Sequence, residues 1–480
     1  MSNVATTKKS GRHTGQASAD VIPEDLSLHF EPDQGEGRKE LHRRLHVGHV
    51  VGLAMADVSP AMSVLLLSAG VFATGGTFAL GACAGLAVVV VLIAVCLGEL
   101  ASTYPNAGGM YSLVRSVLPA PFSWVTMLNC LIQGVVIPAS ISLGIAIFLE
   151  DLWPGIGVSN VIIALISLAL AAGIAMLTVE FGTLVTLPMV GIEILVLGIV
   201  TVAALTSPHQ ELTTVLFDPV MLDSAGTLIP VSIAVMFATM APAFNVINGY
   251  DASLGFVEEL KGGEKKIAKA VVWSAVLASL LIFIPLVAAV VAAPNIKDFL
   301  SAEAPIIYVV EQALGPYARY VVDVGVICAL FNAMISLFMY FGRGVYATGR
   351  DNIWPAKISR ALGALNRFGA PGWGVICLFV PACVLIFFNA LDWLIIFAGT
   401  LIASVYFCIG LAAIWSRIKH KEIERPSRMF LWPLPPIVVT LFTGMALMQQ
   451  ETEFLLGEVV LIAVALALWA ISGTWRNKSA

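Results

Sequence analysis

The sequence contains few charged residues. Asp, Glu, Lys and Arg together make up 12% of its 480 residues, whereas 59% are hydrophobic. Soluble domains usually carry about 25% charged residues. The deficit therefore excludes an ordinary soluble protein. It predicts a polytopic all-α membrane protein, because about 20 consecutive apolar residues are enough for a helix to cross a bilayer.

The sequence also lacks the motifs of catalysis and of ATP-driven transport. Its seven cysteines form no Cys-x-x-Cys pair, and its seven histidines form no His-Glu-x-x-His motif. Neither a Gly-x-Ser-x-Gly motif nor a P-loop is present in the sequence. We therefore expect no enzyme, no catalytic residue, no cofactor and no metal site.

Twelve apolar segments are long enough to serve as membrane spans. In chain order they cover residues 48–70, 79–103, 121–149, 158–178, 183–206, 228–256, 270–293, 317–342, 373–390, 393–416, 431–449 and 454–474. They define a transporter domain over residues 46–475. The hydrophilic residues 1–45 are predicted to form a disordered cytoplasmic tail.

The basic residues predict the orientation. All but two of the 26 Lys and Arg residues, Lys297 and Arg319, fall on one side of the twelve-span arrangement. Cytoplasmic loops are enriched in Lys and Arg. We therefore expect a multi-pass protein of the inner (cell) membrane with both termini in the cytoplasm.

The first span is interrupted by the sequence ADVSPAMS at residues 56–63. Serine is a common N-cap, and proline is favoured at the first helical position. The helix is therefore predicted to stop near residues 57–58 and to restart at Pro60, with Ser59 as its N-cap. The amides of residues 61–63 would then be free to bind an anion. The alternative is a simple proline kink.

The sixth span contains a second interruption. Pro242, Asn245, Asn248, Gly249 and Asp251 fall within about three turns of it. Two interrupted helices five spans apart are typical of inverted repeats with a binding site between the breaks. We expect one repeat over residues 46–206, a second over 228–416, and two peripheral helices over 431–474. The alternative for the sixth span is a polar seam between helices.

Three motifs give the chain a family resemblance. Residues 99–111 read ELASTYPNAGGMY, residues 249–251 read GYD and are followed by Glu258, Glu259 and Lys261, and residues 350–355 read RDNIWP. They are similar to the E-L-x-S-x-[YF]-P-x-[AS]-G-G-x-Y, G-[YF]-[DE]…E-E-x-K and R-D-x-x-x-P signatures of the amino acid–polyamine–organocation (APC) superfamily. The match covers about residues 40–475.

The resemblance implies a secondary transporter of amino acids or related amines that works by alternating access. It implies that amides at the first break hold a substrate carboxylate, that freed carbonyls hold the amine, and that an aromatic residue of span six closes the site. The usual Gly-[Ser/Ala]-Gly-Ile-Phe is replaced here by residues 59–63, and Phe244 is the nearest aromatic to the gate position, which Ile247 occupies. The predicted substrate-binding residues are Asp57, Val58, Ser59, Ala61, Met62, Ser63, Phe244, Asn245, Val246, Ile247 and Asn248.

Ionisable residues inside a membrane are costly and indicate function. Three roles are open for Asp57: binding a substrate ammonium, carrying the coupling proton, or pairing within the bundle. Glu193 lies where relatives have a Lys or Glu near an ion site, so it serves either coupling or a structural hydrogen bond. Asn332 and Ser336, one turn apart, either supply oxygens to that site or join helices.

Charged residues also cluster at the predicted cytoplasmic ends of the spans. Glu99, Glu258, Arg350 and Asp351 are predicted to form an inner gate of ion pairs. The alternative is interfacial charge that follows the positive-inside bias.

The function predicted from these features is proton-coupled symport of amino acids or small amines across the plasma membrane. The alternatives are a polyamine or amine exchanger, an alkali-cation uptake permease, and a nutrient sensor built on the same fold. The expected partners are the small-molecule substrate, a coupling proton or sodium ion, and the lipid bilayer. No nucleic acid and no obligate protein partner is expected.

Overall fold

The computed structural model of the protein describes residues 45–476 with the exception of Ala107, Ser207, Gly262 and Gly263. The predicted tail over residues 1–45 lies, apart from Leu45, outside the described residues.

The described chain is helical, with one short hairpin. The first half contains α1 (Val47–Val58), α2 (Pro60–Met62), a π-helical turn (Ser63–Leu67), α3 (Ser68–Gly75), a 3₁₀ turn (Gly76–Phe78), α4 (Ala79–Thr103), α5 (Gly109–Val117), α6 (Ala120–Leu152), α7 (Asn160–Ala175), α8 (Val179–Leu205), α9 (Leu212–Phe217), β1 (Val220–Leu222) and β2 (Leu228–Pro230). The second half contains α10 (Ile233–Val246), a 3₁₀ helix (Tyr250–Glu259), α11 (Glu264–Ala292), α12 (Ile296–Ser301), α13 (Pro305–Leu314), α14 (Ala318–Arg350), α15 (Ala356–Leu362), α16 (Gly372–Ile386), α17 (Leu391–Lys419), α18 (Leu434–Met448) and α19 (Thr452–Arg476).

Eight helical segments of the described chain are long and apolar enough to cross a membrane. The first of them, Val47–Thr103, contains two of the predicted spans. Three shorter apolar helices, α7, α16 and α18, coincide with further predicted spans. These lengths and compositions are those of a polytopic all-α membrane protein.

The hairpin corrects the predicted start of the sixth span. The sequence places that start at residue 228, but Leu228–Pro230 is strand β2, paired antiparallel with Val220–Leu222. The helix begins only at Ile233. Ser232 is its N-cap, and the hydroxyl of Ser232 accepts a hydrogen bond from the amide of Val235. The apolar run continues across both elements, so hydropathy alone does not separate strand from helix.

The first helix is interrupted at the predicted position. Helix α1 ends at Val58, Ser59 adopts a left-handed conformation with φ 44°, and α2 restarts at Pro60. The N–H of the first helical residue has no partner within the helix, so proline, which lacks an N–H, forfeits no hydrogen bond there. Its fixed φ also suits a helix, so Pro60 favours a restart at this position.

The sixth span is interrupted as well. Helix α10 ends at Val246, and the chain continues as a 3₁₀ helix from Tyr250. Gly249 between them has φ 99°, a conformation that glycine adopts without steric cost.

The two interruptions pack directly against each other. A Cβ atom added to Gly249 would lie 2.7 Å from the backbone N of Val58 and 2.8 Å from Asp57 Oδ2. A side chain at this position therefore has no room. The surrounding helices are arranged in pairs: α4 packs against α11, α6 against α14, and α1 against the 3₁₀ helix.

The residues that precede α1 are joined to the end of the 3₁₀ helix. The N–H of Leu45 donates to the carbonyl of Glu259 at 2.9 Å, and the N–H of Lys261 donates to the carbonyl of Leu45 at 2.8 Å. The two interrupted helices are thus connected both at their breaks and at this end.

Candidate functional site

A cavity lies between the two interruptions. Five of the predicted binding residues line it: Asp57, Val58, Met62, Asn245 and Asn248. Helices α6, α14 and α17 complete the wall, mostly with aliphatic side chains such as Ile137, Leu337 and Ile395. The sequence does not reveal these wall residues, because an aliphatic residue in a span looks the same whether it faces a cavity, another helix or lipid.

The other predicted binding residues are not part of the cavity lining. They are Ser59, Ala61, Ser63, Phe244, Val246 and Ile247. Phe244 is fully buried and packs against Phe442 of α18, with ring centroids 5.5 Å apart. It therefore does not substitute for the gate aromatic in this conformation, because α18 covers the face of α10 on which it lies.

Asp57 is the charged residue of the cavity lining. Its side chain is buried, with 6% of the residue exposed, and Oδ1 has no hydrogen-bond partner among the described residues. The carboxylate also interacts with the hydroxyl of Ser336, which donates to the carbonyl of Leu53 at 2.9 Å. A buried oxygen without a hydrogen-bond partner raises the free energy of the folded protein. Binding of a ligand or a proton to this oxygen would remove that cost.

Glu193 lies on the other side of the first break and is fully buried. Its Oε2 accepts a hydrogen bond from the hydroxyl of Ser59 at 3.1 Å, and its Oε1 accepts one from the amide of Asn332 at 2.9 Å. The backbone amide of Ala61 is also hydrogen-bonded to this carboxylate. Helices α1, α2, α8 and α14 therefore meet at one side chain.

These contacts correct two predictions about the restart of the helix. Ser59 makes no side-chain cap, because its hydroxyl is engaged by Glu193. The amides expected to be free are also engaged: Ala61 bonds to Glu193, and Ser63 donates to the carbonyl of Ser59 at 3.0 Å. A buried carboxylate from another helix thus takes the place that a cap would have taken.

Asp251 is a second buried carboxylate, next to the second break. Its Oδ2 accepts from the hydroxyl of Tyr340 at 3.0 Å, and its Oδ1 accepts from the hydroxyl of Tyr406 at 2.9 Å. The Tyr406 hydroxyl is also 3.0 Å from Oδ1 of Asn248 in the cavity wall. The sequence signals for Asp251 are its position in the interrupted sixth span and its place in the GYD motif, whereas no motif indicates its two tyrosine partners.

Three of the four predicted gate residues form neighbouring ion pairs at one end of the bundle, here called the basic end. Arg350 of α14 pairs with Glu258 at 2.9 Å and also donates to Oδ1 of Asn106 at 2.6 Å. Asp351 pairs with Arg115 of α5. These contacts join α14 to the end of the 3₁₀ helix and to α5.

The fourth predicted gate residue, Glu99, belongs to a different cluster. Its carboxylate is bound by Arg417 at 2.5 and 2.7 Å, by Arg425 at 3.3 Å, and by the amide of Met429 at 2.6 Å. Its ion-pair partners therefore belong to α17 and the following loop rather than to α14. The prediction that Glu99 pairs in the same group as Arg350 is wrong, because α4 lies beside α17 here.

A further buried carboxylate was not predicted from the sequence. Glu458 of α19 accepts hydrogen bonds through Oε1 from Ser404 at 2.6 Å and from Asn129 at 3.1 Å. Glu458, Ser404 and Asn129 are not among the residues that line the cavity. This cluster attaches the last helix to α6 and α17.

The family model described as "Amino acid permease" matches residues 49–469, which includes both interruptions and every residue of the cavity. The chain belongs to the amino acid permease family. It is therefore an APC-superfamily membrane transporter rather than an enzyme.

Two relatives of the permease carry more specific names. One is the branched-chain amino acid permease BcaP of Bacillus subtilis (strain 168), which is 21% identical over 92% of this chain and 95% of its own length. The other is the branched-chain amino acid permease BcaP of Lactococcus lactis subsp. cremoris (strain MG1363), which is 23% identical over 48% of this chain and 49% of its own length.

Proposed function

We propose that the permease is a secondary active transporter that takes up amino acids or related small amines by alternating access, coupled to protons. The observation that carries this proposal is the cavity between two interrupted helices, with the buried carboxylate of Asp57 in its wall. Irregular backbone at membrane depth is tolerated only where protein or a water-filled cavity surrounds it, and in secondary transporters it marks the binding site. The names of the relatives favour the same class of substrate.

The proposed topology has twelve spans with an inverted five-plus-five repeat over residues 46–206 and 228–416. Spans eleven and twelve, over residues 431–474, are peripheral in this arrangement. The pairing of α1 with the 3₁₀ helix, α4 with α11 and α6 with α14 supports it, since each pair joins spans five apart. Both termini, including the tail over residues 1–45, are proposed to lie on the cytoplasmic side of the inner membrane.

The proposed coupling pathway runs from Asp57 to Glu193 through α14. Ser336 contacts Asp57 and Asn332 contacts Glu193, and these two residues are one turn apart on the same helix. A change of protonation at either carboxylate alters its hydrogen bonds to α14 and to the break. Proton binding is thereby linked to the conformation of the first helix. Protonation of Glu193 would weaken the charge-assisted bonds from Ser59 and Asn332 and release the restart of that helix.

The basic end is proposed to be the cytoplasmic gate. The pair Arg350–Glu258 joins the end of α14 to the 3₁₀ helix, and the pair Arg115–Asp351 joins the loop after α14 to α5. Opening toward the cytoplasm would require these contacts to separate. Such partly exposed pairs are individually weak, so they separate at little cost.

The experiment uses the full-length permease in proteoliposomes with an inward proton gradient. We expect labelled L-leucine or its decarboxylated counterpart, isoamylamine, to accumulate inside. The Glu193→Gln variant should lose gradient-driven accumulation but retain exchange of internal for external substrate, because binding survives while proton coupling does not. Glu458→Gln is the matched control, since it alters a buried carboxylate that does not line the cavity.

Accumulation by Glu193→Gln equal to that of the unmodified permease would refute the coupling role. Absence of uptake of both compounds by the unmodified permease would refute the proposed function. Uptake of potassium in their place would identify the alkali-cation alternative.

A further inference from the structure

The restart of the first helix already holds a carboxylate of the protein itself. Glu193 is fully buried there and is bound by Ser59, Asn332 and the amide of Ala61. A helix N-terminus binds an anion through its free amides and the positive end of its dipole. At this terminus, the anion is a side chain of α8.

Few amides remain at this restart for a second anion. Pro60 has no N–H. The N–H of Ala61 is bonded to Glu193, and that of Ser63 to the carbonyl of Ser59. This leaves at most the amide of Met62 in the first turn, and one amide does not make the convergent set that an anion site uses.

The cavity on the other side of the break is suited to a cation. Asp57 is the charged side chain among the described residues that line it, and Oδ1 is buried without a partner. A substrate carboxylate would have to lie beside this like charge in a poorly solvated site, which is unfavourable, whereas an ammonium group would compensate it.

Each neutral polar side chain of the cavity wall makes a hydrogen bond within the protein. The hydroxyl of Ser140 donates to the carbonyl of Ile137 at 2.8 Å, and the amide of Asn245 donates to the carbonyl of Ile395 at 3.0 Å. Oδ1 of Asn248 lies 3.0 Å from the hydroxyl of Tyr406. The remaining lining is apolar, so the body of the ligand is expected to be hydrocarbon.

We propose that the cavity selects primary amines without a free carboxylate over the α-amino acids that have the same side chain. The ammonium group binds Oδ1 of Asp57, and the apolar body contacts the aliphatic wall from α6, α14 and α17. Glu193 excludes the carboxylate of an amino acid by occupying the anion-binding end of α2. The inference rests on the proposed transport function and narrows its substrate class.

The test measures ligand-dependent thermal stability of the purified full-length permease in detergent. A ligand that binds only the folded state stabilises it by RT ln(1 + [L]/Kd), so a tighter ligand gives the same rise in melting temperature at a lower concentration. The probes are matched pairs that differ only in the carboxylate: L-leucine with isoamylamine, and L-phenylalanine with phenethylamine. L-Leucinamide, which keeps the amine but has a neutral amide, and isovalerate, which has only the carboxylate, complete the set.

We expect each amine to produce a given shift at a concentration at least about 10-fold lower than its amino acid, which corresponds to about 1.4 kcal/mol of binding free energy. Leucinamide should behave like isoamylamine, and isovalerate should produce no shift. In Asp57→Asn the shifts caused by amines should disappear, whereas Glu458→Gln should retain them. The comparison of ligands needs only the unmodified chain, so it tests the preference for amines over amino acids even if a variant does not fold.

If L-leucine produces the same shift as isoamylamine at an equal or lower concentration, the inference is overturned and the proposed function is left intact. Retention of the amine shifts in a folded Asp57→Asn protein would also overturn it. If no probe of either series binds, and none is taken up in proteoliposomes, the proposed function fails and the inference with it.

Discussion

The two interruptions each carry a buried aspartate, and the surroundings of these two residues differ. Asp251 at the second break has both oxygens satisfied by the hydroxyls of Tyr340 and Tyr406. Asp57 at the first break has one oxygen that is buried without a partner. Asp57 Oδ2 lies close to Gly249, where the breaks contact each other, and the Asp251 carboxylate interacts with the backbone of the same glycine.

The difference separates a structural role from a functional one. A carboxylate with two phenol donors positions the helices that supply them, because removing it would leave buried donors unsatisfied. A buried carboxylate with an unpartnered oxygen is poorly compensated and gains most from a ligand or a proton. We propose that Asp251 holds the helices of the site in place and that Asp57 binds the ligand or the proton.

The largest expected effect comes from placing a side chain at Gly249, where the two breaks are in contact. Gly249→Ala places a Cβ within 2.8 Å of Val58 and Asp57 and forces alanine to a φ of 99°. The left-handed backbone costs about 1–2 kcal/mol, and overpacking costs roughly 1–3 kcal/mol more. We expect a lower melting temperature in detergent and loss of uptake.

The control for Gly249→Ala is Gly226→Ala, in the turn between β1 and β2. Gly226 has φ 72°, and no atom lies within 4 Å of its hypothetical Cβ. Gly226→Ala therefore has the free-energy cost of a left-handed alanine but no steric clash of its Cβ. Equal destabilisation by the two changes would mean that contact between the breaks contributes nothing.

The next effect distinguishes the two aspartates. Asp251→Asn should lower the free energy of unfolding by about 1–3 kcal/mol, because one phenol loses its acceptor. Asp57→Asn should leave stability unchanged or increased, since it removes a poorly compensated charge, but it should abolish uptake. Melting temperature and proteoliposome uptake, measured on both variants, check this. The reverse pattern would contradict the assignment of roles.

The smallest effect tests one of the two phenols. Tyr406→Phe removes the hydroxyl that donates to Asp251 and lies 3.0 Å from Oδ1 of Asn248, but keeps the ring that stacks on Tyr250 with centroids 6.1 Å apart. We expect a loss of roughly 1 kcal/mol in stability. Binding of isoamylamine should weaken only slightly, because Asp57 is unchanged. A loss of binding as complete as in Asp57→Asn would show that Asp251 takes part in recognition.

Local residue types were sufficient to predict both breaks. Ser59 followed by Pro60 indicates a stop and a restart, and Gly249 permits a conformation that other residues avoid. The apolar runs likewise predict the polytopic class. The exact start of the sixth span was not predictable in the same way, because the apolar residues of strand β2 are continuous with those of α10.

The contacts that define the site join residues far apart in the sequence. Ser59 and Glu193 are 134 positions apart, and Tyr406 and Asp251 are 155 apart. Such pairs depend on which helices are neighbours and on how each is rotated about its axis, and neither is encoded in local composition. For the same reason, Glu99 was grouped with Arg350, although its partners are Arg417 and Arg425.

The short backbone pairing at Leu45 has a mechanical consequence. Its N–H donates to the carbonyl of Glu259, and its carbonyl accepts from the N–H of Lys261. Two backbone hydrogen bonds therefore join the segment before α1 to the end of the 3₁₀ helix. A movement of one half-helix away from the other would break both of these hydrogen bonds. We therefore expect the two half-helices to move together, and a movement that starts at either break to reach the basic end of the bundle through this pairing.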